Sequence, residues 1–567
     1  MQSKRKLIIE FFQRNKLVVV FTFLANIISS LLNVLIPLSI GRFYQLVLHD
    51  NSVKGKLFNA LHISLHSVSD FFLFFILIII AKSLITFVEK FFTGMIGERF
   101  SRDLRELLFK TQLSQSVAIN QIKPTGKYLL RYSGDLLFIQ HFITKGVIQF
   151  TGDVIFMLAS VAVLFSINAT LTLIMLAGIA VACTTIILLN KKVRMATLNR
   201  RNQRSTLLGF VANRMQAFLT IKSFNREVPE ETQYNKKSAK LYGFGITYWK
   251  IYSVIQALLP LLMFGTLTVL LYFVSLKREV KPYGINRGDV LDFVLLFLYM
   301  QGVIKRILKA NMVWNMGNVS FTKLLRILNL AGERKSGDRE IAEISGRISF
   351  ENVCFQYPNA DQPILKNISF TIEPATITFI KGKQSSGKST IMKMIQGIYQ
   401  PTSGKIFLDQ YDYDLITPNT VRRNIAIVSD EAPLIGNTVF KAVSYSRADE
   451  KRVRASQWLQ RLNFNVAETE AENLDYHLDD FGKNLSAGQR KQLIFARALM
   501  TRKKILLLDE AFDDLDPESK KIIVERINKQ KRKRTMIIAA NNLPDELEID
   551  QVINLNEFCF EDQIAIS

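Results

Sequence analysis

The residues best suited to chemistry lie in the second half of the chain. GKQSSGKST (Gly382–Thr390) follows the apolar run ITFIKG and precedes a helical pattern, IMKMIQ. This is the G-x-x-x-x-G-K-[ST] spacing in a strand–loop–helix setting. Backbone N–H groups from Gly382, Lys383, Gln384, Ser385, Ser386 and Gly387, with those of the helix start, form an anion cradle. Lys388 can then reach β- and γ-phosphates, and the hydroxyls of Ser389 and Thr390 lie at the cradle's end, with Ser389 placed to ligate Mg²⁺. A second apolar run, KILLLDE, ends in adjacent carboxylates, Asp509 and Glu510. Two buried acids at a strand end are costly without a cation. Asp509 suits Mg²⁺, and Glu510 suits a general base that orients an attacking water. The expected cofactors are therefore ATP and Mg²⁺.

NLSAGQRKQ (Asn484–Gln492) opens a further helical pattern, where Ser486, Gly488, Gln489 and the helix N-terminus can hold another phosphate or serve simply as a cap. These pieces together resemble the ABC ATPase family over residues 345–567. LSAGQ matches its signature except at Ala487, where the family usually has Gly. On that resemblance Tyr357 in FQYP stacks on adenine, and Asp516 in DDLD is the aspartate that acts across the dimer. Two cassettes sandwich two ATP molecules, with the phosphate loop from one chain and the signature from the other, so a second half-transporter is implied.

The pattern is broken in three places. Asp430, in SDEAPLIGNTV, stands where the family has a Gln that senses the γ-phosphate and Mg²⁺. A carboxylate there either ligates the metal or repels the phosphate. Asn541, in TMIIAANN, replaces the switch His and can donate a hydrogen bond but carries no positive charge. LDDFG keeps Asp480 but lacks the usual glycine before it. Glu510 remains, so the expectation is slow hydrolysis at the site built on this chain's phosphate loop.

The elements that must position these residues follow from hydropathy. The chain has 567 residues, 49% of them hydrophobic, with 41 Phe. Its long apolar runs fall before about residue 315, six of them near the ~20 residues that a bilayer requires: Val18–Val47, Phe71–Phe92, Val147–Ile167, Leu171–Leu189, Tyr252–Leu276 and Val290–Ile307. The formal charge of +24 tracks the connections, and Lys191–Lys250 alone carries 13 Lys/Arg against 3 Asp/Glu. This bias places the N-terminus, Thr93–Lys145 and Asn190–Lys250 in the cytosol, and the links near Asn51–Ser69, Ser166–Ala169 and Lys277–Gly288 outside. Six spans exclude a soluble protein acting on nucleic acid, and the run KQKRKR (Lys529–Arg534) reads as a solvated turn. Cys183, Cys354 and Cys559 have no metal spacing and read as unpaired. The basic start reads as a retained first helix, not a cleaved signal peptide.

The membrane half also resembles the family's exporters. KPTGKYLLRYSGDL (Lys123–Leu136) and TIKSFNRE (Thr220–Glu227) look like the two intracellular loops that end in short coupling helices. The expected fold is an all-α six-helix exporter-type membrane domain with long cytosolic helical extensions (1–314) and a linker (315–344) with helical pattern over Asn315–Ala331 and a polar hinge, Gly332–Glu340. An α/β P-loop ATPase domain with a largely parallel sheet follows (345–567). The resemblance implies a multi-pass protein of the bacterial plasma (inner) membrane, cassette inward, working as a homodimer or heterodimer.

Cations in or near the spans suggest a transport path. Lys82 lies about 12 residues, or roughly 18 Å, from the outer end of the second span, where a charge is costly unless it faces a wet cavity. Lys145 opens the third span, and Lys305, Arg306 and Lys309 sit at the inner end of the sixth. Asp153, Asp289 and Asp292 are available partners, and snorkelling at the inner interface is the favoured reading for Lys145 and Lys309. The resulting reading is ATP-driven export or flipping of an amphipathic, anionic lipid-like substrate. The alternatives are a peptide or multidrug exporter, since aromatic-rich spans suit apolar cargo, and an ATP-gated channel or regulatory subunit that hardly hydrolyses.

Overall fold

The computed structural model describes residues 3–48, 67–117, 131–277, 287–330, 337, 339–341, 343–357, 360–445 and 449–559. Most of the expected outer link Asn51–Ser69, the first part of Lys123–Leu136, most of Lys277–Gly288 and most of the hinge Gly332–Glu340 lie outside the described residues. So do the side chains of Asp289 and Cys559. The chain divides into two compact units, the first covering Met1–Ser114 and Lys123–Leu330 and the second Gln115–Ile122 and Ala331–Ser567.

The first unit is helical: α1 (Lys4–Arg14), α2 (Lys16–Leu48), α3 (Val68–Leu113), α4 (Leu136–Ile143), α5 (Phe150–Ile167), α6 (Ala169–Gln216), α7 (Phe218–Ser223), α8 (Glu227–Lys277) and α9 (Arg287–Leu328). Among the described residues, five helices are long and apolar enough to cross a membrane: Lys16–Phe43, Val68–Leu113, Leu136–Ile167, Ala169–Gln216 and Glu227–Ser275. The sixth apolar run lies within α9, where Asp292, Lys305 and Arg306 interrupt it. Helices α6 and α8 hold 48 and 51 residues, or about 72 and 77 Å at 1.5 Å per residue, more than twice the hydrocarbon thickness. The polar insertions thus continue the spans as unbroken helix. The helical part of the expected linker is likewise the end of α9.

Caps set the starts. Ser67 and Asp70 make a reciprocal capping box at α3, and Asn168 caps α6 one residue after α5 ends. The helix of the third span is wound wide at Thr144–Gln149, and the chain is wound wide again just before it at Arg131–Asp135. Such π-type turns leave carbonyls short of donors. Trp314 of α9 donates its indole N–H to the Gly146 carbonyl at 2.7 Å, and a Cβ on Gly146 would lie 2.8 Å from the indole ring. Asp135, 2% exposed, joins three elements by accepting from Arg131, from Arg201 of α6 and from Ser320 of α9. Phe156, Met175, Phe293, Phe297 and Met300 are buried in the bundle, whereas Leu73, Phe87, Leu158 and Leu261 are more than half exposed. An apolar exterior around a packed interior is what a bilayer solvent selects.

The second unit has two sheets. Strands β1 (Ile348–Phe355), β2 (Leu365–Ile372), β4 (Ser403–Leu408) and β5 (Tyr411–Asp412) form an antiparallel sheet in the order β2-β1-β4-β5. The parallel sheet runs β6-β7-β8-β3-β9, with β3 (Ile377–Lys381), β6 (Ile425–Val428), β7 (Ile505–Asp509), β8 (Thr535–Ala539) and β9 (Gln551–Asn554). Every residue of β7 and β8 is buried, as expected of strands covered on both faces. Helices α10 (Lys388–Ile395), α11 (Pro418–Arg423), α12 (Val439–Ser444), α13 (Arg452–Arg461), α14 (Glu470–Asp475), α15 (Ala487–Met500) and α16 (Pro517–Asn528) complete the unit.

Candidate nucleotide site

Strand order creates the site. β7, β8 and β3 are neighbours, with Asp509 opposite Ala539 and Ala539 opposite Ile380. Their C-terminal ends therefore bring Asp509–Glu510, Asn541 and the 382–387 loop to one edge, where ligands bind open parallel sheets. Gly387 holds φ +93°, and a Cβ there would meet Leu365 at 2.5 Å. Glycine is required by both conformation and space. A Cβ on Gly382 would lie 2.4 Å from the Ser386 hydroxyl.

The residues fit MgATP in charge and in hydrogen-bonding capacity. Lys388 is 7% exposed, and its ammonium donates to the Gly382 and Lys383 carbonyls at 2.8 and 3.1 Å and to the Asn541 side-chain oxygen at 3.3 Å. Among the described residues no carboxylate pairs with it. The Ser386 hydroxyl is buried without a partner among the described residues. Buried donors in this state fit an anion. Conversely, burial pushes the Asp509 carboxyl up to about 6. The hydrogen bond from Ser389 opposes that rise and the Glu510 charge adds to it. The Ser389 hydroxyl donates to Asp509 at 3.3 Å. A desolvated carboxylate beside a hydroxyl fits a hard cation.

Glu510 follows with its side chain exposed and its backbone left-handed at φ +47°, while its N–H donates to the Ala539 carbonyl at 2.8 Å. A glutamate held there is strained, and such strain collects at functional sites. The Tyr357 hydroxyl shares a 3.0 Å hydrogen bond with Thr390, and its ring lies edge-on to Phe355 and Tyr399.

The sequence reading missed Lys491. It lies on α15, is 2% exposed, and donates to the Asp430 carboxylate at 2.8 Å and to the Glu510 carbonyl at 3.1 Å. Asp430 is thus paired with a buried cation. The signal was available, because a lysine follows LSAGQR on the helix that the signature opens. Glu431, also overlooked, pairs with Lys393 at 2.7 Å and acts on the Asp509 charge.

The signature residues form a second group. Ser486 and Gln489 cap α15 reciprocally. Gly488 faces the Asp514 carbonyl and the Asp516 carboxylate, at 3.4 and 3.9 Å from where its Cβ would be. Asp516 caps α16 through the Ser519 N–H at 2.8 Å. No hydrogen bond joins Ser486, Gly488, Gln489 or Asp516 to the phosphate-loop group among the described residues. In LDDFG, Phe481 itself takes a positive φ of 61°, a conformation glycine adopts at less cost.

The membrane cations do not form one group. Lys82 donates to the Ser29 carbonyl and hydroxyl of α2 at 2.9 and 2.7 Å. Arg306 binds Asp153 through both Nε and Nη2, and Glu89 and Lys90 act electrostatically on both Lys82 and Asp153. Lys305 and Lys309 instead line a narrow, largely apolar cavity between α6, α8 and α9. Lys145 is exposed, and Asp292 is buried against Gly41.

Comparison with known proteins bears on both units. Residues 19–304 match the family described as ABC transporter transmembrane region, and residues 365–513 match that described as ABC transporter. The chain belongs to the ABC transporter family. It is an integral membrane, exporter-type half-transporter that binds ATP and couples an ATPase to transport. It is 23% identical to the ATP-dependent lipid A-core flippase of Pasteurella multocida (strain Pm70), over 84% of this chain and 82% of that one. It is 24% identical to the flippase of the same description from Haemophilus influenzae (strain 86-028NP), over 84% and 81%. A solved bacterial Atm1-family ABC exporter with ATP bound shares its fold, with a TM-score of 0.80 at 18% identity over 96% of this chain and 93% of that one.

Proposed function

We propose that this ABC transporter is an ATP-driven flippase or exporter of an anionic, amphipathic lipid-like substrate, working as a dimer of half-transporters in a bacterial inner membrane with its cassette in the cytosol. The observation that carries the reading is the half-buried Lys82 with the pair of exposed Arg306 and buried Asp153, on helices that also expose Leu73, Phe87, Leu158 and Leu261. The names of the flippase relatives point to the same substrate class. In this reading Lys82, Arg306, Lys305 and Lys145 contribute to the path for the anionic head.

ATP is held by the 382–387 loop, Lys388 and Thr390, with Tyr357 on the adenine side. Ser389 and Asp509 would hold Mg²⁺, which would supply charge neutralisation at the phosphates. Glu510 accepts the proton of the attacking water, and Asn541 contacts the γ-phosphate end. Ser486, Gly488, Gln489 and Asp516 serve the site whose phosphate loop belongs to the partner. Asp430, tied to Lys491, is less available to the metal than an unpaired carboxylate. Substrate-stimulated ATPase in nanodiscs tests this reading. Lys82→Ala lowers stimulation by anionic lipids, and unchanged stimulation by every anionic lipid tried refutes the path.

A second reading, a weakly hydrolysing regulatory or channel subunit, draws on Asp430 and Asn541 together. An Asn541→His variant that hydrolyses ATP no faster than the natural chain removes the slow-sensor account.

A further inference from the structure

An open cavity of about 460 Å³ lies on the cassette, lined by Trp458, Gln530 and eight Lys or Arg side chains, with no acid in the lining. It is built by the end of α13, by residues 502–504 just before β7, by the end of α16, and by the turn 529–534 just before β8. Both strands are parallel, so the cavity sits at their N-terminal ends, at the opposite edge of the sheet from the phosphate loop. The KQKRKR run supplies Lys529, Lys533 and Arg534 to it.

The cations are held together against their own repulsion. Arg534 is anchored through Nη2 to the Thr501 carbonyl at 3.1 Å, while its Nη1, Nε of Arg526 and Oε1 of Gln530 are buried without partners among the described residues. Among the described residues Lys529 pairs with Glu525, but no carboxylate lies within ion-pair distance of Arg502, Lys504, Arg526 or Lys533. Burial and the neighbouring Arg502 both press the Arg454 guanidinium down from its usual range. Eight converging cations with no carboxylate among the described lining residues call for an anion of high charge density. Trp458 is 9% exposed, which leaves no aromatic face for base stacking. The cations ring one concavity and do not track along a stripe, so a compact ligand fits better than a nucleic-acid strand.

We propose that this cavity is a second anion site that binds a small soluble polyphosphate, a chain of linked phosphates, independently of the nucleotide site. The test is titration of sodium tripolyphosphate into the full chain in zwitterionic nanodiscs, followed by calorimetry. The Lys388→Ala variant silences the phosphate loop and should keep one tripolyphosphate site, weakened by added salt. Reversing three exposed cations (Arg502→Glu, Lys504→Glu and Lys533→Glu) in that background should weaken the site by at least about tenfold. The same reversal in the natural chain leaves MgATP binding intact. Should it lower the melting temperature, the neutral pair Arg502→Gln and Lys533→Gln decides, with loss of affinity expected again. The proposal is overturned if Lys388→Ala takes up no tripolyphosphate, if the charge variants bind it as well as their parent, or if a single-stranded oligonucleotide displaces it at equal phosphate concentration.

Discussion

At the scale of residues, the phosphate loop and the Asp509–Glu510 pair were legible because their chemistry is local: a fixed spacing between a strand and a helix. Asp430 was not legible in the same way. Its meaning depends on Lys491, 61 positions away, and sequence shows no such contact. The pair predicts non-additive behaviour. Asp430→Gln strands a buried ammonium and should cost about 1–3 kcal/mol in the denaturant unfolding of the cassette, less than for a fully buried pair because Asp430 is exposed. Adding Lys491→Gln should return most of that loss, and additive losses in the double variant would contradict the coupling. Asp509 predicts a pH dependence. Its carboxyl, raised to about 6, must lose its proton to ligate a cation, so the Mg²⁺ enhancement of ATP-analogue binding should fade as pH falls from about 7 to about 5. In metal-free protein the folded form binds that proton more tightly than the unfolded form. This group's contribution to stability therefore declines as pH rises from about 4 to about 6. Asp509→Asn should abolish both effects.

At the scale of elements, hydropathy located five helices long and apolar enough to cross a membrane, with the sixth run inside α9, and alternation located the parallel sheet, since both are patterns along the chain. Two features were hidden. The antiparallel sheet interleaves β1, β2 and β4 with strands of the other sheet, so local pattern does not assign strands to one sheet or the other. The wide turns at Arg131–Asp135 and Thr144–Gln149 depend on partners from α6 and α9. Asp135 is the joint most exposed to mutation. Asp135→Asn keeps the shape but leaves Arg131 and Arg201 without their anion, at a cost of about 2–4 kcal/mol. Thermal unfolding in detergent should register this as a lower transition temperature, and an unchanged transition would mean that the joint carries little load.

At the scale of the whole molecule, the grouping of signature residues apart from the phosphate loop agrees with a site completed by a second chain. The sequence implied this only through the family, because nothing in one chain's hydropathy or spacing encodes its partner. If the partner is another copy, mixing Lys388→Ala and Gly488→Asp chains equally should give half mixed dimers, each with one intact site. About a quarter of the natural ATPase rate should then return from two inactive parents. On the proposed function, ATP turnover at Glu510 drives movement of an anionic lipid. Its most direct measurement is ATP-dependent translocation of a fluorescent phosphate-bearing lipid in proteoliposomes, comparing the natural chain with Glu510→Gln. Translocation is expected with the natural chain and none above background with the variant. Equal translocation by both, or none by the natural chain for any anionic lipid while it hydrolyses ATP, would contradict it.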